Sequence, residues 1–173
     1  MKRFISFLTG ILCMTILSAY ADSFTLDTSS FASNGTIPPQ YSCDGKDASP
    51  QLSWKGIPDK TETFALILSD PDAPGGTFYH WVLFNIPKNI TALAEGISNL
   101  PAGTKAGKNS MNRMRYSGPC PPKGATHHYI FTLYALDTTL SLITGPDAET
   151  LLHAMQNHII GQTELRGLFS HPR

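Results

Sequence analysis

The sequence predicts a mostly β fold, a β-sandwich carrying one or two C-terminal helices. Three observations carry that prediction. Glycine (14) and proline (13) are frequent and punctuate short apolar runs, as in a loop-rich β domain. Three of those runs have strand composition, namely 63–68, 81–86 and 129–136. Helical periodicity is confined to about the last thirty residues, so strands and helices do not alternate as they do in a parallel α/β sheet.

The chain of 173 residues and 18.8 kDa has room for one domain. Hydrophobic residues make up 41% and charged residues 15%, which excludes a disordered chain and a coiled coil. With 13 basic and 13 acidic residues, no net field recruits nucleic acid.

The elements follow in order. Residues 1–21 read as a cleaved export signal: Lys2 and Arg3 supply the positive start, Phe4 to Leu17 an apolar run, and Ala19-Tyr20-Ala21 the small residues of a cleavage site. The run is short for a membrane span, and Asp22 and Asp27 follow it, so no transmembrane segment is expected in the mature chain. Cys13 follows the bulky Leu12, unlike a lipoprotein site, and belongs to the leader. The mature chain, 22–173, is then a single domain in the periplasm or outside the cell.

Phe24-Thr25-Leu26 alternates as a first strand, ended by Asn34-Gly35 and Pro38-Pro39. Leu52-Ser53-Trp54 follows the polar stretch 42–47. Phe64 to Leu68 is continuously apolar, the pattern of a strand covered on both faces, and Trp81 to Ile86, stopped by Pro87, is a second. Tyr129 to Leu136 is the strongest. Between the last two lies an irregular segment, Gly96 to Pro122, long enough to suggest function. A helix is expected after Pro146-Asp147, with Leu151, Leu152, Met155 and Ile159 on its apolar face; Gly161 interrupts, and Glu164-Leu165-Arg166 could start a second short helix.

Export leaves Cys43 and Cys120 as an even pair in an oxidising compartment. The reading favours a disulfide over two buried thiols, and such a bridge would stabilise by roughly 4 kcal/mol in the chain-entropy model. Neither cysteine has a second one at metal-binding spacing, and no metal or cofactor motif is present.

Two motifs carry chemistry, each at a strand end. Asp70-Pro71-Asp72-Ala73-Pro74-Gly75-Gly76 with His80-Trp81 follows the Phe64–Leu68 strand, and its prolines stiffen a connection that sets carboxylates and an imidazole at one rim. Gly118-Pro119-Cys120-Pro121-Pro122-Lys123-Gly124 with His127-His128-Tyr129 feeds the strongest strand. If the strands are neighbours, Asp70, Asp72, His80, His127 and Tyr129 converge.

These two motifs, with YSCDGKDASPQLSW at 41–54 and TELRG at 163–167, resemble the phosphatidylethanolamine-binding protein family and its bacterial Raf-kinase-inhibitor-like branch. The resemblance implies an antiparallel two-sheet Greek-key β-sandwich with a small pocket for anions such as phosphate, phosphoryl headgroups or acetate. Carried over by motif position, it implies a pocket formed by Asp70, Pro74, His80, Gly118, Pro121, His127 and Tyr129. His128 stands where many relatives have arginine, which puts it outside the pocket. Arg113 and Arg115 replace the small or neutral residues often found there.

The chemistry suits an anion: imidazoles, the Tyr129 hydroxyl and loop N–H groups can donate to phosphate oxygens, while Asp70 orients a histidine or meets a headgroup amine. Other residues read as structural: Asp72 as a turn former, Trp81 as core, and His153, His158 and His171 as surface. Lys105, Lys108, Arg113 and Arg115 form either a solvated loop face or a cationic rim. The expected function is therefore binding of a small anionic or phosphorylated ligand, a lipid headgroup among the options, with a regulatory or inhibitory role. One alternative is a protein-interaction module that inhibits a kinase, protease or host target through the loop 96–117. A hydrolase with His127 or His80 as base is a third reading, but no nucleophile elbow, metal-ligand motif or phosphate loop accompanies it, and no catalytic residue is expected.

Overall fold

The computed structural model describes residues 23–143 and 145–171. The leader predicted for 1–21 lies outside the described residues. A large sheet has the order β2 (Gly35–Thr36), β9 (Ile159–Ser170), β8 (Thr126–Leu136), β4 (Thr63–Asp70), β5 (Phe78–Pro87) and β7 (Lys105–Ala106). A small antiparallel sheet has the order β1 (Thr25–Asp27), β3 (Leu52–Lys55) and β6 (Ala92–Leu93). Strands β4, β5 and β7 lie side by side and β8 returns to the free side of β4, a Greek-key order. All pairings are antiparallel except β2 with β9, a two-residue parallel ladder.

The packing explains the continuous apolar runs. On one face of β4, Phe64, Leu66 and Leu68 pack with Leu26, Leu52, Trp54 and Leu93 of the small sheet. On the other, Ala65 and Ile67 join Val82, Phe84 and Leu136 beneath Leu151 and Met155 of helix α1 (Ala148–Met155). The central strands are thus covered twice, by a sheet and by a helix. Among the described residues no helix is long and apolar enough to cross a membrane.

The C-terminal region departs from the sequence reading in two places. Helix α1 starts where expected, with the Asp147 carboxylate accepting the Thr150 N–H at 2.8 Å, a bond that holds this carboxyl below the usual range. It ends at Met155, however, and Ile159 begins a strand rather than extending the apolar face. Glu164-Leu165-Arg166 lies inside β9, not in a second helix. The reason is period: Leu165, Gly167 and Phe169 are buried in alternation, while Glu164 and Arg166 pair at 2.7 Å on the opposite face. Residues two apart share a face only in a strand.

Candidate functional site

The site lies at the end of β4, β5 and β8. Asp70 is the last residue of β4. One carboxylate oxygen accepts the Asp72 N–H at 2.9 Å, closing the turn that the prolines stiffen. The other oxygen accepts from His127 Nδ1 at 2.7 Å. The ladder explains the meeting: Ser69 pairs with Ile130, so Asp70 stands beside Tyr129 and diagonally from His127. Asp72 repeats the device outside the cavity, where its Oδ2 accepts both the N–H and the Nδ1–H of His128 at 2.7 Å. Those two bonds hold the Asp72 carboxyl below its ordinary value.

His80 sits on a β-bulge. Leu68 pairs with Trp81 and Ser69 with Tyr79, which leaves His80 as the extra residue of β5. A bulge of this kind re-aims a side chain at a site. Ser117 then holds His80 from both sides: His80 Nδ1–H donates to the Ser117 carbonyl at 2.8 Å, and the Ser117 N–H donates to the His80 carbonyl at 3.1 Å. Burial pushes the His80 pKa down, against the opposing pull of the Ser117 carbonyl and Asp70, so the ring favours its neutral form.

The second motif is pinned along its length. Cys43 and Cys120 form a disulfide with Cα atoms 5.4 Å apart. The Gly118 N–H donates to the Asp47 carboxylate, and the Tyr116 hydroxyl donates to the Tyr41 carbonyl at 2.6 Å. Any Cβ on Gly118 would run into the Tyr41 carbonyl and Ser42 Cα, so the close approach requires glycine. His171, which the sequence reading leaves on the surface, donates from Nδ1 to the Pro121 carbonyl at 3.0 Å and places Nε2 3.1 Å from Asp44.

Together these segments enclose a cavity of about 400 Å³. Of the seven residues that the resemblance names, Asp70, Pro74, His80, Gly118, Pro121 and His127 all line it. Tyr129 does not reach the wall. It is fully buried behind His80, ring centroids 5.3 Å apart in an edge-on contact, and its hydroxyl has no hydrogen-bond partner. Burial and the nearby Asp70 push that hydroxyl's pKa far above the usual tyrosine value, so it stays a protonated donor. His128 and Trp81 stand outside the cavity, Trp81 in the core.

Sequence reasoning missed Phe78, Met111 and Ser117 among the lining residues. Phe78 carried a signal, since it precedes His80 by two residues on one strand, and its ring lies 4.7 Å from the imidazole. The polar side chains on the wall are two imidazoles, one carboxylate and Ser117, and the rest of the lining is apolar or backbone. Among the described residues no three His, Cys, Asp or Glu side chains gather in a metal-binding group. With both Nδ1 atoms engaged by acceptors, each ring has only Nε2 left for a guest.

The model of the family described as phosphatidylethanolamine-binding protein matches residues 27–170. A UPF0098 protein of Methanothermobacter thermautotrophicus is 46% identical over 147 residues, covering 83% of this chain and 97% of that one. A UPF0098 protein of Pyrococcus horikoshii is 42% identical over 166 residues, covering 92% and 83%. Among solved structures, Escherichia coli YbcL, described as a new member of the mammalian PEBP family, superposes with a TM-score of 0.81 at 28% identity, covering 85% of this chain and 98% of that one.

Proposed function

The chain belongs to the phosphatidylethanolamine-binding protein family, and on that premise we propose that it is an exported binding protein for small phosphorylated anions. Its guests would be inorganic phosphate and phosphoethanolamine-type headgroups, and its role regulatory or inhibitory. One observation carries this reading: two imidazoles with Nδ1 anchored, one by a carboxylate and one by a carbonyl, share a single apolar-walled cavity. The two rings are not equivalent. His127, held at Nδ1 by the Asp70 carboxylate, turns its Nε2 toward a phosphoryl oxygen. The neutral His80 offers a lone pair at Nε2, which accepts from a phosphoryl O–H or takes its proton. Phe78, Pro74 and Pro122 provide apolar contact for the organic part of the guest.

Binding rather than turnover is the expected outcome. Cys120 Sγ, the one sulfhydryl-type candidate nucleophile on the wall, is committed to the disulfide. The same disulfide and the leader at 1–21 support an oxidising, exported location.

Titration calorimetry with phosphate and phosphoethanolamine tests the proposal. The wild type should bind with Kd in the ~0.1–1 mM range that a few charge-assisted hydrogen bonds supply. Asp70→Asn/His127→Ala should abolish the heat. Equal heats from both proteins would overturn it.

A second reading rests on the loop 96–117, where Met111 and Met114 are 50% and 52% exposed beside Arg113 and Arg115. Such a surface suits an acidic protein target. Shortening that loop would then abolish inhibition of the target, and the cavity variants would leave it intact.

A further inference from the structure

Behind the segment that walls the first cavity lies a second hollow of about 350 Å³. Residues 114–118 separate the two: Ser117 and Gly118 line the first, and Met114, Arg115 and Tyr116 line the second. The floor of the second is apolar, built from Trp81, Leu83, Ile97, Leu100 and Tyr116. Its volume falls within the usual range for small-molecule sites.

Two polar features stand out against that floor. Ser49 lines the hollow, is only 3% exposed, and its hydroxyl has no hydrogen-bond partner. A buried hydroxyl is normally satisfied, so an orphan on a cavity wall marks a place where a guest can donate or accept. Arg115 stands at the lip, 60% exposed, with its guanidinium 3.7 Å from Asp47 Oδ2, beyond hydrogen-bond length. Asp47 meanwhile is engaged through Oδ1 by the Gly118 N–H. The guanidinium fork is therefore open to a better-placed carboxylate. Asp47 and Arg115 are the charged residues that line the hollow, and with Asp47 already engaged by the Gly118 N–H the open cation for a guest is the Arg115 guanidinium.

We propose that this hollow is a second ligand site, for an oxygenated aliphatic monocarboxylate of medium chain length. The carboxylate pairs with Arg115, the chain lies on Trp81, Leu83 and Leu100, and a hydroxyl or keto oxygen on the chain satisfies Ser49. The site needs neither His80 nor His127, and it stands whether or not the first cavity binds phosphate.

Calorimetric titration with β-hydroxyoctanoate, octanoate and octylammonium, below their aggregation thresholds, tests this. The wild type should bind β-hydroxyoctanoate several-fold more tightly than octanoate, and octylammonium not at all. Arg115→Gln should weaken both carboxylates about tenfold, the loss of one charge-assisted pair. Ser49→Ala gives up no hydrogen bond within the protein, so its thermal midpoint should match the wild type, while the preference for the hydroxylated chain disappears. Asp70→Asn/His127→Ala should bind β-hydroxyoctanoate as the wild type does. The proposal is overturned by an absence of β-hydroxyoctanoate heat in the wild type, by loss of that heat in the Asp70/His127 variant, or by indifference to Arg115→Gln. Octylammonium binding, or a hydroxyl preference that survives Ser49→Ala, would overturn the assigned chemistry.

Discussion

Asp70 and His127, 57 positions apart in the chain, meet at 2.7 Å with side chains only 5% and 8% exposed. A carboxylate only accepts, so the proton on this bond sits on Nδ1 and His127 presents Nε2 to the cavity. Asp70→Asn can keep an oxygen toward Nδ1–H but replaces a charge-assisted hydrogen bond with a neutral one. The expected result is about tenfold weaker phosphate binding with a nearly unchanged thermal midpoint. Asp70→Ala leaves the His127 Nδ1–H and the Asp72 N–H without their acceptor and should cost about 1–3 kcal/mol of stability as well. Urea denaturation beside calorimetry separates the two effects. A fully stable Asp70→Ala protein would contradict the role given to this pair.

His80 predicts a pH dependence of known sign. Burial holds its folded pKa below the unfolded value of 6.5, so the unfolded chain takes up this proton first as pH falls. The stability contribution is present above pH 6.5 and is lost as pH drops through the depressed folded value, with a slope of at most about 1.4 kcal/mol per pH unit from one proton. His80→Asn keeps a donor for the Ser117 carbonyl but does not titrate. Urea midpoints between pH 7 and 5 should fall less steeply for this variant, and parallel profiles would rule the account out.

Gly118 allows no side chain. A methyl group there would meet the Tyr41 carbonyl and Ser42 Cα, both backbone atoms that cannot rotate away. Gly118→Ala should therefore cost about 2 kcal/mol, in the manner of overpacking, and displace the wall beside His80. Phosphate titration and thermal melting read the two consequences, and an alanine variant that binds normally would refute the close approach.

The disulfide joins residues 77 apart, and the whole segment between them loses freedom in the unfolded chain. Cys43→Ser/Cys120→Ser should lower stability by about 2–5 kcal/mol. Reductant should shift the wild-type urea midpoint and leave that of the double variant in place. Mass spectrometry of the mature protein should show a gain of two hydrogens on reduction. An unchanged mass would mean free thiols.

Legibility in the sequence follows the range of the interaction. Phe64–Leu68, Trp81–Ile86 and Tyr129–Leu136 were readable as strands because burial on both faces leaves an unbroken apolar run. Asp147 was readable as a helix start because capping is a three-residue event. Strand β9 was obscured because its inward positions include the half-buried Gly161 and the buried Gly167, which look like breakers until one sees Pro58 and Ile37 filling the space above them. The two-residue strands β2, β6 and β7 have no pattern of their own and exist through their partners.

By itself the sequence determined the β class, the two stiff corners and the cysteine pair, since prolines, glycines and apolar runs act locally, whereas the expected pocket residues came from the family resemblance. Only the tertiary structure decided which atoms face the cavity. It set β8 beside β4, bringing Asp70 to His127; it placed the bulge that turns His80 toward Ser117; and it withdrew Tyr129 behind the wall. It also opened the second hollow, where Ser49 and Arg115 come together from segments whose spacing gave no sign of it. Hydrogen bonds and cavities between distant segments depend on register and packing, which no short stretch of chain encodes.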